Sequence, residues 1–324
     1  MTQEHIVFLD AATIGDDIAW PDFSSMGKVT RYDYSKNEEV DERLQDATIV
    51  LTNKIPLSAK KIQAAPRLRY IGVLATGFNI VDGKSAAERN IPLCNVPDYS
   101  SNSVVQQTFA LLLALAADVC ALSASVREGA WMKSSQFCFW HKPMHELYGK
   151  TFGVVGFGDI GKKSAALAHC MGMNVIAHAP RPKPAPGYEP FAFVSLEELF
   201  GQADVISLHC PLTPESQGMV NNGTLSLVKP NALLINTARG GLVVEQDLAD
   251  ALHQGRLAGA GLDVVAREPM AEDNPLRDAP NCLITPHTAW ATVEARTRLM
   301  DITFANIRAF LDGKPVNVCN GVKG

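Results

Sequence analysis

Short apolar runs alternate with amphipathic segments along the whole chain. Ten β-branched or aliphatic runs predict strands, at residues 6–9, 48–51, 69–74, 92–95, 151–155, 174–177, 204–209, 232–236, 258–263 and 282–285. Helical spacing of apolar residues lies between many of them. Strands that alternate with helices are typical of parallel α/β sheets.

The predicted strands and helices form two series, one before and one after a boundary near Pro97. Helices are predicted at 160–170, 196–203 and 245–254, and a last one at 293–311 follows the final strand. Pro97 and the polar residues 99–102 precede a long apolar helix and mark a domain boundary. The aromatic-rich segment 132–147 is irregular and is predicted to be a structured loop. The chain therefore contains two α/β units.

Composition excludes several classes of protein. The 324 residues suit two domains, and 47% hydrophobic with 19% charged residues is a globular balance, not a disordered one. The net charge of −5, without a basic run, argues against a nucleic-acid or anionic-membrane partner. The apolar stretch 109–117 is too short to span a bilayer. Since the first residues also lack a signal-peptide layout, we expect a cytoplasmic protein.

Cysteine and histidine spacing gives no metal or disulfide pattern. The seven cysteines are odd in number and widely spaced, and no C-x-x-C pair occurs. His141 and His145 have the i,i+4 spacing of a metal pair, but Pro143 between them makes a continuous helix doubtful. We therefore predict reduced thiols and no metal.

A glycine-rich turn directly follows the predicted strand at 151–155. It reads Gly156-Phe157-Gly158-Asp159-Ile160-Gly161, a G-x-G-x-x-G. In such a turn the first glycine permits the tight bend, and the second lets a pyrophosphate approach the backbone. The third lets the following helix pack closely on the strand. In this context the motif predicts a dinucleotide site, with chance glycines as the weaker alternative.

The position that usually distinguishes NAD from NADP holds Ala179. An acidic residue about 20 residues after the glycines normally binds the ribose hydroxyls, and here it is missing. Arg181 and Lys183 follow, and an arginine there can accept the 2′-phosphate of NADP. The structural alternative is a pair of solvated loop cations. The sequence thus predicts NAD or NADP and leaves the choice open.

Three charged side chains, Arg239, Glu268 and His287, each follow a different predicted strand. Ligands in open α/β sheets bind beyond the carboxyl ends of the strands, so we expect the three at one edge, beside the cofactor. Taken singly, they are explained as a surface cation, a loop carboxylate and a hydrogen-bonded loop histidine. Their coincidence favours an active site.

Longer motifs extend these observations. They are Leu-Tyr-Gly-Lys-Thr-Phe-Gly-Val-Val-Gly-Phe-Gly-Asp-Ile-Gly, Asp-Val-Ile-Ser-Leu-His-Cys-Pro-Leu-Thr, Leu-Ile-Asn-Thr-Ala-Arg-Gly-Gly, Gly-Leu-Asp-Val and Thr-Pro-His-Thr-Ala-Trp-Ala-Thr. With them the chain resembles the D-isomer-specific 2-hydroxyacid dehydrogenases over nearly its whole length. Within that family it is most similar to the glycerate dehydrogenases, also called hydroxypyruvate reductases.

The resemblance implies NAD(P)-dependent interconversion of a small 2-keto acid and its D-2-hydroxy acid. The expected substrates are hydroxypyruvate, which would be reduced to D-glycerate, and glyoxylate, which would be reduced to glycolate. His287 would exchange the proton, since imidazole titrates near neutrality, and Glu268 would orient it. Arg239 would bind the substrate carboxylate through two hydrogen bonds from its planar guanidinium.

Further site residues follow from the resemblance. Cofactor contacts are expected from the glycine-rich turn, from Ala179 and Arg181, and from His209, Cys210, Pro211, Thr237, Ala238 and Asp263. Substrate contacts are expected from Ala75, Thr76, Gly77, Trp290 and Trp140. The alternatives are an ordinary turn at Gly77, a helix cap at Asp263, a packed thiol at Cys210 and interface packing for Trp140.

The family also implies the architecture. We expect two Rossmann-like or flavodoxin-like parallel-sheet domains with a cleft between them. The substrate domain would comprise 1–100 plus 289–324, and the NAD(P)-binding domain 101–288. A homodimer is expected, with an aromatic of the 137–140 segment presented to the neighbouring subunit, as in related reductases. A dinucleotide-sensing, corepressor-like protein and a same-fold dehydrogenase for another 2-hydroxy acid remain as alternatives.

Overall fold

A computed structural model describes residues 4–322. The strands are β1 (His5–Phe8), β2 (Lys28–Arg31), β3 (Ile49–Thr52), β4 (Tyr70–Val73), β5 (Leu93–Cys94), β6 (Thr151–Val155), β7 (Asn174–His178), β8 (Phe191–Phe193), β9 (Val205–Leu208), β10 (Leu233–Asn236), β11 (Gly259–Leu262) and β12 (Cys282–Ile284). The helices are α1 (Val40–Leu44), α2 (Ala59–Ala64), α3 (Gly83–Glu88), α4 (Ser101–Ala116), α5 (Val119–Arg127), α6 (Asp159–Cys170), α7 (Leu196–Gln202), α8 (Asn222–Leu225), α9 (Glu245–His253) and α10 (Val293–Leu311). Short 3₁₀ turns lie at Ala11–Thr13, Phe23–Met26 and Gly240–Leu242.

The chain divides into two compact units. Unit 1 comprises Met1–Ser100 and Trp290–Gly324, and unit 2 comprises Ser101–Ala289. Each unit has its own parallel sheet, so the predicted fold class of two parallel-sheet α/β domains is confirmed.

Unit 1 is built on a five-stranded parallel sheet in the order β2-β1-β3-β4-β5. Its central strands β3 and β4 are buried at every position, because helices and loops cover both faces. Helix α10 completes the unit: Thr292 caps its first turn by accepting from Ala295 N at 3.3 Å, and Leu299 and Met300 enter the core.

Unit 2 is built on a seven-stranded parallel sheet in the order β12-β11-β10-β9-β6-β7-β8. The direction of strand succession reverses between β6 and β9, which is the doubly wound arrangement whose ligands bind at the carboxyl ends beside the reversal. Helix α4 buries much of its length against this sheet, where Leu111 and Leu115 lie over Gly261 of β11. A side chain at Gly261 would collide with Leu111 Cβ, at 2.9 Å.

All ten predicted strands are present, with ends shifted by at most one residue. Two strands were missed, β2 and β8, and each lies at the edge of a sheet. Their sequences, KVTR and FAF, are too short or too polar for the apolar-run criterion, because an edge strand is only half covered. The predicted long helix after residue 100 and the C-terminal helix are both confirmed.

The segment 128–150 contains neither helix nor strand, so the irregular structure predicted for 132–147 is confirmed. Lys142 anchors it to Asp118 at 3.3 Å and to Asn281 Oδ1 at 2.8 Å. Along residues 4–322 no single helix has the length and apolarity of a membrane span; the bent pair α4–α5, with 62° between its helices, meets these criteria only jointly.

Candidate active site

The glycine-rich turn joins β6 to α6 at the carboxyl edge of the unit 2 sheet. Gly156 has a φ of +97°, a left-handed conformation that side chains resist. A Cβ there would also lie 2.7 Å from the backbone of Cys210. At Gly161 an added Cβ would lie 2.0 Å from the carbonyl oxygen of Gly156. The turn and the helix therefore pack backbone to backbone.

Gly158 differs from these two glycines. It precedes the first residue of α6, and a Cβ added there would meet nothing within 4 Å. The backbone amides in the first turn of this twelve-residue helix therefore come directly after a residue with open space around its Cα. Since a helix N-terminus with free approach suits a pyrophosphate, this arrangement fits the phosphates of a dinucleotide.

Asp159 begins α6 and lies beside the first turn of α4. A hydrogen bond from the hydroxyl of Ser101 and an ion pair to Lys163 at 2.9 Å lower the pKa of its carboxyl. Phe157 is buried and contacts Phe191 and Phe193 at ring distances of 5.4 and 5.3 Å. Two of the three non-glycine side chains of the turn, Phe157 and Asp159, therefore hold it in place.

The residues predicted to contact the adenosine ribose follow β7. Ala179 comes directly after the last residue of the strand and packs against the unit 2 core. Arg181 and Lys183 are exposed. His178 Nδ1 lies 3.2 Å from Val194 O, which ties the end of β7 to the chain after β8.

His209 and Cys210 follow β9, which pairs with β6. Burial lowers the pKa of His209 to about 4, so the imidazole is neutral near pH 7, and its Nε2 lies 2.8 Å from Ser207 Oγ. Burial raises the pKa of Cys210 to about 11, and its thiol contacts Met219 Sδ at 3.7 Å. Cys210 is thus a protonated, packed thiol near neutral pH.

The turn that carries Arg239 is organised by a residue that the sequence interpretation missed. Asn236, fully buried at the end of β10, accepts from Ala238 N at 3.0 Å and donates to Arg239 O at 2.9 Å. Thr237 exchanges a hydrogen bond with Thr108 of α4 at 2.9 Å. Arg239 itself is exposed, and its guanidinium donates to Ala238 O at 2.7 Å.

Gly240 brings this turn close to the next strand end. A Cβ at Gly240 would lie 2.0 Å from the backbone of Val265, so only glycine allows the two segments to touch. Val265 N in turn donates to Glu268 Oε1 at 3.2 Å. The segments bearing Arg239 and Glu268 are therefore neighbours.

Glu268 and His287 are in direct contact. His287 Nδ1 lies 2.6 Å from Glu268 Oε2, and both side chains are partly exposed, at 28% for His287 and 37% for Glu268. The structure therefore brings together two of the three charged residues singled out in the sequence, with Arg239 at the adjacent strand end.

Asp263 fixes the turn that bears His287. Its buried carboxylate accepts from Thr285 Oγ1 at 2.5 Å, from Thr288 N at 2.9 Å and from Ala289 N at 2.8 Å. These donors belong to a loop, so the alternative of a helix cap at Asp263 is wrong. A role in binding the nicotinamide stays a prediction.

Four of the predicted substrate residues lie in unit 1. Ala75, Thr76 and Gly77 follow β4, where the Thr76 hydroxyl donates to Val96 O at 2.9 Å. Trp290 packs against the unit 1 core with its ring edge-on to Tyr99 at 6.4 Å. Trp140, like Arg239 a predicted substrate residue in unit 2, is 62% exposed in the 128–150 segment, which also carries Phe137 at 92% exposure.

Comparisons with known proteins identify the family of the chain. Residues 109–289 match the D-isomer specific 2-hydroxyacid dehydrogenase, NAD binding domain. The chain is 44% identical to a hydroxypyruvate reductase of Blautia hydrogenotrophica, over 97% of this chain and 99% of the relative. It is 40% identical to a glycerate dehydrogenase of Methylorubrum extorquens, over 97% of this chain and 98% of the relative.

Solved structures with the same fold include two that cover nearly the whole chain. A protein from Thermus thermophilus superposes with a TM-score of 0.86 at 33% identity, over 97% of this chain and 99% of its own. The NADPH-dependent glyoxylate/hydroxypyruvate reductase of Sinorhizobium meliloti, solved with NADP and malonate, gives a TM-score of 0.85 at 26% identity, with 99% and 98% coverage.

Proposed function

The chain belongs to the D-isomer-specific 2-hydroxyacid dehydrogenases, and from this premise we propose that it is a hydroxypyruvate and glyoxylate reductase. The observation that carries the proposal is the 2.6 Å contact between His287 Nδ1 and Glu268 Oε2 at adjacent strand ends. A dinucleotide-sensing role without turnover is the weaker alternative, because relatives 44% and 40% identical to this chain carry enzyme names.

The proposed reaction consumes one keto acid, one NADH or NADPH and one proton, and yields the D-2-hydroxy acid and the oxidised cofactor. The bound dinucleotide supplies the two electrons of the reduction. The glycine-rich turn would hold its phosphates, because Gly158 leaves the N-terminus of α6 open. The proposed contacts to the rest of the cofactor are Ala179, Arg181, His209, Cys210, Pro211, Thr237, Ala238 and Asp263.

His287 is the proposed proton donor for the carbonyl oxygen. Glu268 occupies Nδ1, so Nε2 is the ring nitrogen left to deliver the proton to the substrate and, in the reverse direction, to accept it. Glu268 is therefore a positioning residue that acts through His287.

Arg239 is the proposed carboxylate ligand. Its guanidinium is planar and always charged, and it can present two parallel N–H donors to a carboxylate. The two hydrogen bonds of the buried Asn236 side chain fix the backbone from which the Arg239 side chain extends. Ala75, Thr76, Gly77 and Trp290 are the proposed substrate contacts from unit 1.

The 128–150 segment and the helix before it support a homodimer. None of the side chains of α5 is buried within the chain. Val126, Trp131, Met132, Phe137 and Met144 are exposed apolar side chains between residues 126 and 144, and such patches mark protein interfaces. We propose a second copy of the chain as the partner, in a cytoplasmic enzyme that binds neither nucleic acid nor membrane.

The proposed function is tested with purified protein. NADH and NADPH are each supplied with hydroxypyruvate, glyoxylate or pyruvate, and absorbance at the wavelength of the reduced nicotinamide is followed. We expect turnover with hydroxypyruvate and glyoxylate and a D-configured product. Tight dinucleotide binding without turnover of any keto acid would favour the sensing alternative. Light scattering after size exclusion should give twice the mass of one chain.

A further inference from the structure

A buried carboxylate organises the strand ends of unit 1. Asp10 follows β1 and is 1% exposed. It accepts from Asn53 N at 2.9 Å and from Lys54 N at 2.5 Å, in the turn that directly follows β3. Burial raises the pKa of Asp10, because removal from water penalises the charged carboxylate. The contacts of Asp10 fix the backbone of this turn, and the turn carries the exposed, cationic side chain of Lys54.

The same turn is held from two other sides. Thr52 Oγ1 donates to Ile55 O at 2.9 Å and accepts from Ile55 N at 3.0 Å, which closes the turn on itself. Asn53 Nδ2 donates to Thr13 Oγ1 at 3.0 Å. The position from which the Lys54 side chain departs is therefore fixed by three independent contacts.

The direction of the Lys54 side chain is also defined. Its Nζ lies 5.7 Å from the ring centroid of Trp290, within the range of a cation–π contact. Trp290 is itself held edge-on to Tyr99 and packs on the unit 1 core. Along the chain, Trp290 is three residues after His287.

Lys54 lies level with the proposed substrate turn. Strands β3 and β4 are parallel neighbours, with Thr52 opposite Val73. Lys54 is two residues beyond Thr52, as Ala75 is two residues beyond Val73. The cation and the Ala75-Thr76-Gly77 turn therefore occupy adjacent strand ends at the carboxyl edge of one sheet, where ligands of parallel sheets bind.

We infer that Lys54 is a substrate-binding residue that determines specificity, and that its ammonium donates a hydrogen bond to an oxygen on C3 of a short 2-keto acid. The inference rests on the proposed function. The planar fork of Arg239 suits the two oxygens of a carboxylate, whereas an ammonium is a compact point donor that suits a single oxygen. A 2-keto acid with a C3 hydroxyl presents such an oxygen, while pyruvate has a methyl group and glyoxylate has no C3.

The test compares three substrates in the intact protein. Lys54→Met keeps the length of the side chain and removes its charge. We expect kcat/KM for hydroxypyruvate to fall about 10- to 100-fold, as for a lost hydrogen bond to a charged group, chiefly through KM. The values for glyoxylate and pyruvate should stay within about threefold. Lys54→Gln, which keeps a donor, should recover part of the hydroxypyruvate preference.

Two controls separate binding from folding. Lys60→Met makes the same replacement at an exposed lysine of α2, away from the strand ends, and should leave all three substrates unchanged. Melting temperature and dinucleotide affinity of the Lys54 variants should match those of the unmodified chain. A merely structural lysine would change these two quantities and not the ratio between substrates.

Either of two results overturns the inference alone: an unchanged hydroxypyruvate preference in Lys54→Met, or equal losses for all three substrates. Each would occur while the unmodified chain reduces keto acids. An unmodified chain that reduces none of the three would instead overturn the proposed function and this inference with it.

Discussion

His287 contacts Glu268 from an unusual backbone conformation. The Nδ1 to Oε2 distance is 2.6 Å, and the φ of His287 is +55°, in the left-handed region that few non-glycine residues adopt. Its own N–H donates to Asp263 O at 2.8 Å, and the side chain of Asp263 holds the residues that follow. The hydrogen bonds of the turn outweigh the strain at one residue, and the result is an imidazole with a fixed orientation.

This conformation guides the choice of variant for the first prediction. His287→Asn should lower kcat for keto-acid reduction by about 10²- to 10⁴-fold, because the proton donor is removed. Asparagine tolerates positive φ better than alanine does, so the turn should persist. Steady-state rates measure the loss, and dinucleotide titration should give an unchanged Kd. Near-normal turnover in a folded His287→Asn protein would remove this residue from the mechanism.

The second prediction concerns Arg239. Arg239→Lys keeps the charge but not the planar fork, so kcat/KM for hydroxypyruvate should fall by about 10- to 100-fold, mostly through KM. The side chain of Asn236 bonds to the backbone of residue 239 and not to its side chain, so the melting temperature should not change. Arg277→Lys, at an exposed site, is the matched control. An unaltered kcat/KM would show that Arg239 does not bind the carboxylate.

Much of the site could be predicted because it depends on local sequence. The glycine-rich turn, Arg239, Glu268 and His287 all lie next to apolar strands, and parallel strands place their carboxyl ends at one edge. Position along the chain therefore predicted position in the sheet. The apolar pattern alone could not reveal which side chains would touch, because the 2.6 Å contact joins residues 19 apart. Only the family resemblance implied that Glu268 orients His287.

Two residues that hold these turns in place were missed for a related reason. Asn236 and Asp10 are polar residues at or just beyond strand ends, and each is buried with its side chain bonded to a turn. In the sequence they look like ordinary loop residues. A polar residue that ends an apolar run is the one available signal, and only the three-dimensional fold shows which turn it binds.

The third prediction concerns the cofactor. Arg181→Ala should weaken NADPH binding about tenfold or more and leave NADH nearly unchanged, because only NADPH has a 2′-phosphate. Ala179→Asp should shift the preference towards NADH as well, because the added carboxylate would accept from the ribose hydroxyls and repel a 2′-phosphate. Fluorescence titration with both dinucleotides measures the two affinities. Equal losses for NADH and NADPH in Arg181→Ala would show that this arginine does not contact the phosphate.

The fourth prediction concerns acid stability. The folded-state pKa of His209, about 4, lies below the unfolded value near 6.5, so the unfolded chain binds the proton more readily. Stability from the neutral imidazole is present above pH 6.5 and is lost as the pH falls towards 4. Between pH 7 and pH 5 the loss should be on the order of 1–2 kcal/mol. Urea unfolding without cofactor should show a flatter pH dependence for His209→Asn, and parallel curves would contradict the prediction.

The last prediction concerns the length of the substrate. Trp140 is exposed in a segment that carries several exposed apolar side chains, and we propose that in the dimer it limits the size of the keto acid. The unmodified enzyme should therefore reduce hydroxypyruvate far better than phenylpyruvate. Trp140→Ala should lower the ratio of kcat/KM for hydroxypyruvate to kcat/KM for phenylpyruvate about tenfold, because it opens space for the larger side chain.

Met132→Ala, in the same segment and 85% exposed, is the control and should leave this ratio unchanged. Light scattering on each variant separates a change of pocket from a loss of the dimer. Efficient phenylpyruvate reduction by the unmodified protein would contradict the small-substrate proposal, while a widened range in Trp140→Ala with the dimer intact would support a direct role for this ring.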